Sequence, residues 1–157
     1  MNKFECVFCR IAAGRAPSHR IWESDTVMAF LSLHPNTEGF TVVATKAHHP
    51  SYLFDMKETA FIDLVTSAKK VGKMLDQAFD DVGRTACIME GFGVDHAHIK
   101  LFPMHGTQGP WRPIKSKVDK FFATYEGYVS SHDHQRADDD QLRMLAERIR
   151  TTGYGPE

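Results

Sequence analysis

Neither sign of charge is in excess. Nineteen Lys and Arg face twenty Asp and Glu, for a formal net charge of −1. That balance excludes broad electrostatic binding of nucleic acid or of an acidic membrane, and it leaves room for a small anion in a local pocket. Cysteine is scarce. There are three, and an odd count argues against a disulfide framework. No run approaches the ~18 apolar residues of a membrane span. Residues 1–10 lack a basic segment with an apolar run behind it. A cytoplasmic protein is expected. What is present is ordinary for a soluble domain: 157 residues, 42% hydrophobic and 25% charged. A single domain over residues 1–157 suits that length.

One stretch, Val94-Asp95-His96-Ala97-His98-Ile99-Lys100-Leu101-Phe102-Pro103, stands out by its alternation. Val94, His96, His98 and Lys100 share one parity, and Ala97, Ile99 and Leu101 the other. On a β-strand successive side chains point to opposite faces. The apolar set can therefore face a core while the imidazoles and the ammonium line the opposite face. A lone strand histidine is more often structural. Two at i and i+2 place two nitrogen ligands or nucleophiles side by side on a rigid support.

The rest of the chain supplies the scaffold. Residues 4–13 stop at Gly14 and read as a short helix. Cys6 and Cys9 fall on one side of its turn. They fit two buried small hydrophobes, a redox pair, or half of a zinc site. Arg20–Glu23 and Thr26–Leu31 read as strands around a Ser24-Asp25 turn, and Phe40–Thr45 as a third. Asp55 to Glu58 resembles a capping box. Behind it Phe61, Leu64, Val65, Ala68, Val71, Leu75 and Phe79 recur at helical spacing, with Lys69, Lys70, Lys73 and Asp76 on a solvated face. Arg84–Met89 is a further strand, with Cys87 expected as a core thiol. Beyond residue 104, Tyr128-Val129-Ser130-Ser131 suggests a short strand. Asp138 with Gln141 opens a last helix, and the aromatics at 121–125 are expected in the core. His19, His34, His105, His132 and His134 are expected at the surface. The pattern predicts an α+β fold: a meandering antiparallel sheet of about five strands, a long helix on one face, and a C-terminal extension with a helix.

His96-Ala97-His98-Ile99-Lys100-Leu101-Phe102-Pro103 resembles the signature of the histidine triad (HIT) family, with Lys100 where the third histidine usually stands. Cys6 to Ile11, Trp22 to Leu31 and Pro35 to His48 are similar to the family's other segments, in family order. The resemblance covers a core of about residues 4–104, leaving 105–157 as an extension. It implies a homodimer that binds a small nucleotide and uses no organic cofactor. It implies nucleophilic attack by His98 on an α-phosphate, with Lys100 supplying charge beside it. The chemistry is sound: neutral imidazole is a good nucleophile near pH 7, and covalent catalysis divides a hard displacement in two. The resemblance also implies structural zinc on Cys6, Cys9, His48 and His96, with His49 as a rival to His48. Nucleotide contacts fall on Ser32, Phe40, Phe92 and Gly93. There the chain differs from the family, which usually has Asp, His and a Gly-Gln-Ser-type loop. The leading activity is a hydrolase acting on a phosphoester, phosphoanhydride or phosphoramidate. A nucleotidyltransferase and a binding module without turnover stay open beside it.

Overall fold

The computed structural model describes residues 6–127, 129 and 132–152. Five strands form one antiparallel sheet in the order β1-β2-β3-β5-β4. They are β1 (Arg20–Glu23), β2 (Val27–Leu31), β3 (Thr41–Thr45), β4 (Thr85–Ile88) and β5 (His98–Pro103). The first three meander, as their turn residues predict. The Ser24 hydroxyl accepts the Val27 N–H at 3.1 Å and tightens the first turn. After β3 the chain crosses through α2 (Glu58–Ala78) to the far edge as β4. β5 then returns into the gap, pairing with β3 on one side and β4 on the other. The strand carrying His98 and Lys100 is thus held along both edges.

The two parities of that strand face two cores. Ala97, Ile99 and Leu101 join Ala29, Leu31 and Val43 against Leu64, Val71 and Leu75 of α2. Leu142, Ala146 and Ile149 of α3 (Asp139–Thr151) enter the same cluster. On the other face Phe30, Phe40, Val42 and Phe102 pack with Cys6, Phe8 and Ile11 around α1 (Val7–Ala12). Ile99 is wholly buried in the first core. Ile99→Ala should cost about 2–5 kcal/mol of unfolding free energy, because the lost contacts leave a cavity. A urea midpoint shift with an unchanged slope checks this; a loss below about 1 kcal/mol would show that the site collapses around the gap.

Several expectations need correction. Strand β5 begins at His98, not Val94. The 94–97 backbone bends, with the His96 N–H on the Val94 carbonyl at 2.8 Å and the Ala97 N–H on the His49 carbonyl at 2.8 Å. Asp55 does not cap α2. It sits in a 3₁₀ turn, and Lys57 is the N-cap with no side-chain hydrogen bond. Asp138 does cap α3, accepting from Asp140 and Gln141 N–H. Cys87 is exposed rather than a core thiol, because β4 is an edge strand. Partial desolvation there pushes its pKa up, so it is not an activated thiolate. The aromatics at 121–125 are not core either. Phe121 is 92% exposed, since no helix or strand there turns one face inward. Residues 128, 130 and 131 of the suggested extra strand lie outside the described residues. Among the described residues no helix is long and apolar enough to cross a membrane.

Candidate functional site

Two constellations meet around Phe8, on the α1 face of the sheet. The first joins three distant segments. Cys6 and Cys9 flank the start of α1, His48 follows β3, and His96 precedes β5. Their ligand atoms all lie within 4.8 Å of one another. The Cys6 Sγ is 3.3 Å from the His96 Nδ1, and the Cys9 Sγ is 3.5 Å from the His48 Nδ1. His48, not His49, belongs to the cluster. The His96 Nε2 lies 2.7 Å from the Thr45 carbonyl oxygen. A carbonyl can only accept, so Nε2 carries the proton and the Nδ1 lone pair points at the thiols. That second hydrogen bond is how proteins orient histidine ligands for a metal. Burial pulls the His96 pKa down to about 4, which keeps the ring neutral. Two thiols and two imidazoles fit a tetrahedral ion such as zinc.

The second constellation is a cavity of about 280 Å³. Phe8, Ile11, Phe30, Phe40 and Val42 give it apolar walls. His98 and Lys100 reach it from β5, Gly93 from the preceding loop, and Ser32, His34 and Asp133 also line it. His98 is 2% exposed, and the Phe8 ring meets it edge-on at 5.3 Å. Its Nδ1 lies 2.6 Å from the His96 carbonyl oxygen. By the same reasoning Nδ1–H donates, so Nε2 holds the free lone pair. Burial lowers the His98 pKa, the His96 carbonyl opposes the shift, and the Lys100 charge adds to it. A neutral, oriented imidazole on a doubly paired strand can attack an electrophilic phosphorus.

Ser32, Phe40 and Gly93 therefore come to one cavity with His98 and Lys100, whereas Phe92 does not. Phe92 is 79% exposed and stacks on Tyr125 at 5.4 Å. Sequence reading missed Glu90, which forms an ion pair with Lys100. Only the pairing of β4 with β5 reveals it. A larger cleft of about 470 Å³ runs along α3 and shares Leu31, Ser32 and Phe40. It lacks both His98 and Lys100, which line only the smaller cavity.

His105 follows β5 closely but stays outside the cavity. It bonds the Asp81 carboxylate at 2.9 Å and the Glu38 carbonyl at 3.0 Å. Partial burial pulls its pKa down, but these hydrogen bonds outweigh that and raise it above 6.5. A raised folded-state pKa stabilises below the unfolded value and is lost as pH climbs through the folded one. The melting-temperature gap between wild type and His105→Ala should be widest near pH 5–6 and narrow above about pH 7.5. A gap that widens with rising pH would contradict the pairing.

The arrangement defines a class of small α+β proteins with a histidine-bearing inner strand. A family model described as HIT domain matches residues 13–107, and the chain belongs to this family. It is 29% identical over 111 residues to an uncharacterized HIT-like protein of Methanocaldococcus jannaschii, covering 66% of this chain and 82% of that one. It is 29% identical over 98 residues to an adenosine 5′-monophosphoramidase of Saccharomyces cerevisiae, covering 62% of this chain and 61% of the relative. The fold matches that of a zinc-bound histidine triad family protein from Mycobacterium smegmatis. The TM-score is 0.68 at 20% identity, over 96% of this chain and 94% of the other.

Proposed function

We propose that this protein is a hydrolase that cleaves a nucleotide conjugate at its α-phosphate, an ester, anhydride or amidate, through His98. The observation that carries the reading is the 2.6 Å hydrogen bond from the His98 Nδ1–H to the His96 carbonyl, which aims the Nε2 lone pair. Nε2 attacks phosphorus, a phosphorus–nitrogen bond forms, and the bond to the leaving group breaks with its electron pair. The leaving atom takes a proton from solvent water. Water then attacks the phosphorus, gives up a proton, and releases the nucleotide and the imidazole. Lys100 occupies the position of the third histidine and acts as a fixed cation near the phosphate oxygens rather than as a proton shuttle. Ser32, Phe40 and Gly93 hold the nucleotide.

Zinc on Cys6, Cys9, His48 and His96 is structural in this reading, tying α1 to the strand that carries His98. The chain acts as one unit, a core of about residues 4–104 with the extension packed on it, and works as a cytoplasmic homodimer. The yeast phosphoramidase relative supports the substrate class. The test is intact-protein mass after rapid mixing with AMP-phosphoramidate. The expected product is an adduct of one adenylyl group on the wild type, decaying to AMP. A substrate turned over with no adduct, and equally well by His98→Ala, would overturn the mechanism. An adduct that decays only when an alcohol or second phosphate is added would point to transfer instead of hydrolysis.

A further inference from the structure

The ion pair beside His98 bears on which conjugates the cavity accepts. Lys100 Nζ and Glu90 Oε1 are in direct contact, and their side chains are only 13% and 10% exposed. The second Glu90 oxygen accepts the Phe92 N–H at 2.8 Å. The carboxylate is thus held from two sides. Ile88 and Lys100 are register partners across β4 and β5, which brings Glu90, two residues on, alongside the ammonium. Lys100 and Asp133 are the charged residues among those lining the cavity. An entering phosphate therefore meets an ammonium already paired with a partly buried carboxylate, and the Asp133 side chain on the cavity wall. Standing behind the ammonium, the carboxylate offsets part of its pull on each negative charge, so in a poorly solvated site one charge is compensated and a second is not.

We propose that Glu90 is a positioning residue that sets the charge preference of the site. By pairing with Lys100 it makes the cavity select nucleotide conjugates with one negative charge on the phosphate, the diesters and amidates. Phosphate monoesters and polyphosphate chains, with two or more charges, are disfavoured. This rests on the nucleotide reading above and narrows its substrate class.

The experiment is calorimetric binding of three probes to the full chain: adenosine, AMP, and the methyl ester of AMP. The pH is held above the second phosphate pKa of about 6, so that they carry no charge, two and one. Wild type should bind the methyl ester at least as tightly as AMP. Glu90→Gln should shift the AMP-to-ester affinity ratio toward AMP by about tenfold, with adenosine unchanged, because the ammonium is then uncompensated. Glu90→Asp should keep the wild-type order. The double variant Glu90→Gln with Lys100→Met removes both charges of the pair. It should return to the wild-type ratio even if the single variant folds poorly. An unchanged ratio in Glu90→Gln, or a wild type that prefers AMP about tenfold, overturns the proposal. If wild type binds none of the three probes, the nucleotide reading falls and this inference with it. Binding of all three with a flat ratio across the variants sinks the charge preference alone.

Discussion

Replacing His98 with alanine is expected to lower turnover of AMP-phosphoramidate by on the order of 10⁴-fold or more, the scale on which removal of a nucleophile acts. The loss should fall on turnover far more than on apparent affinity. The apolar walls made by Phe8, Phe30, Phe40 and Val42 do not depend on the imidazole. Its two same-face neighbours along the chain are otherwise engaged. Lys100 is engaged by Glu90, and the His96 Nδ1 points at the two thiols. Because His98 is buried and packs on Phe8, the variant's urea midpoint should be measured beside its kinetics. Folded protein with wild-type turnover would remove His98 from the mechanism. Folded protein that binds AMP but neither turns over nor forms an adduct is the expected result.

Removing the metal should produce the largest loss of stability. Wild-type protein grown in zinc-supplemented medium is expected to carry about one zinc per chain by elemental analysis, as a closed four-ligand site would. Stripping it with a strong chelator, or making Cys9→Ser, should lower the melting temperature by on the order of 10 °C. Structural zinc sites in peptides are worth about 10–16 kcal/mol. The loss here should be smaller, because two apolar cores also hold this fold. It remains large because the four ligands connect the start of α1, the segment after β3 and the approach to β5. Phe8 of α1 packs edge-on against His96 at 5.6 Å and His98 at 5.3 Å. Turnover should therefore fall with the metal and recover when zinc is restored. Protein that holds no metal after zinc-supplemented growth, and melts the same with or without chelator, would show that the cluster is only four packed side chains.

Much of this site was legible in the residue order. The alternation from Val94 to Leu101 assigned which side chains share a face, and the two cores bear that out even where the strand is shorter than the pattern. The helical spacing from Leu64 to Leu75 identified the buried stripe of α2. The failures share one cause. Cys87 and the aromatics at 121–125 were read as buried from residue type alone, yet burial depends on what lies across from a segment. An edge strand and an irregular extension offer little there. Asp55 failed as a cap for a related reason: a local hydrogen-bonding pattern permits a cap but does not oblige the helix to start there.

The sequence by itself determined the local chemistry: an i, i+2 histidine pair leading into a strand, a cysteine pair on one helical turn, and Lys100 at the next position on the same face. Periodicities of two and three to four residues are set by backbone geometry, so neighbours along the chain can be placed without the fold. The tertiary structure alone decided everything that joins segments far apart in the chain. It chose His48 over His49 and placed the Thr45 carbonyl on the His96 Nε2. It carried Glu90 to Lys100 by inserting β5 between β3 and β4. It turned Phe92 away from the cavity that receives Gly93. Those choices follow from strand order and from how two cores close around one sheet, and no short-range pattern encodes either.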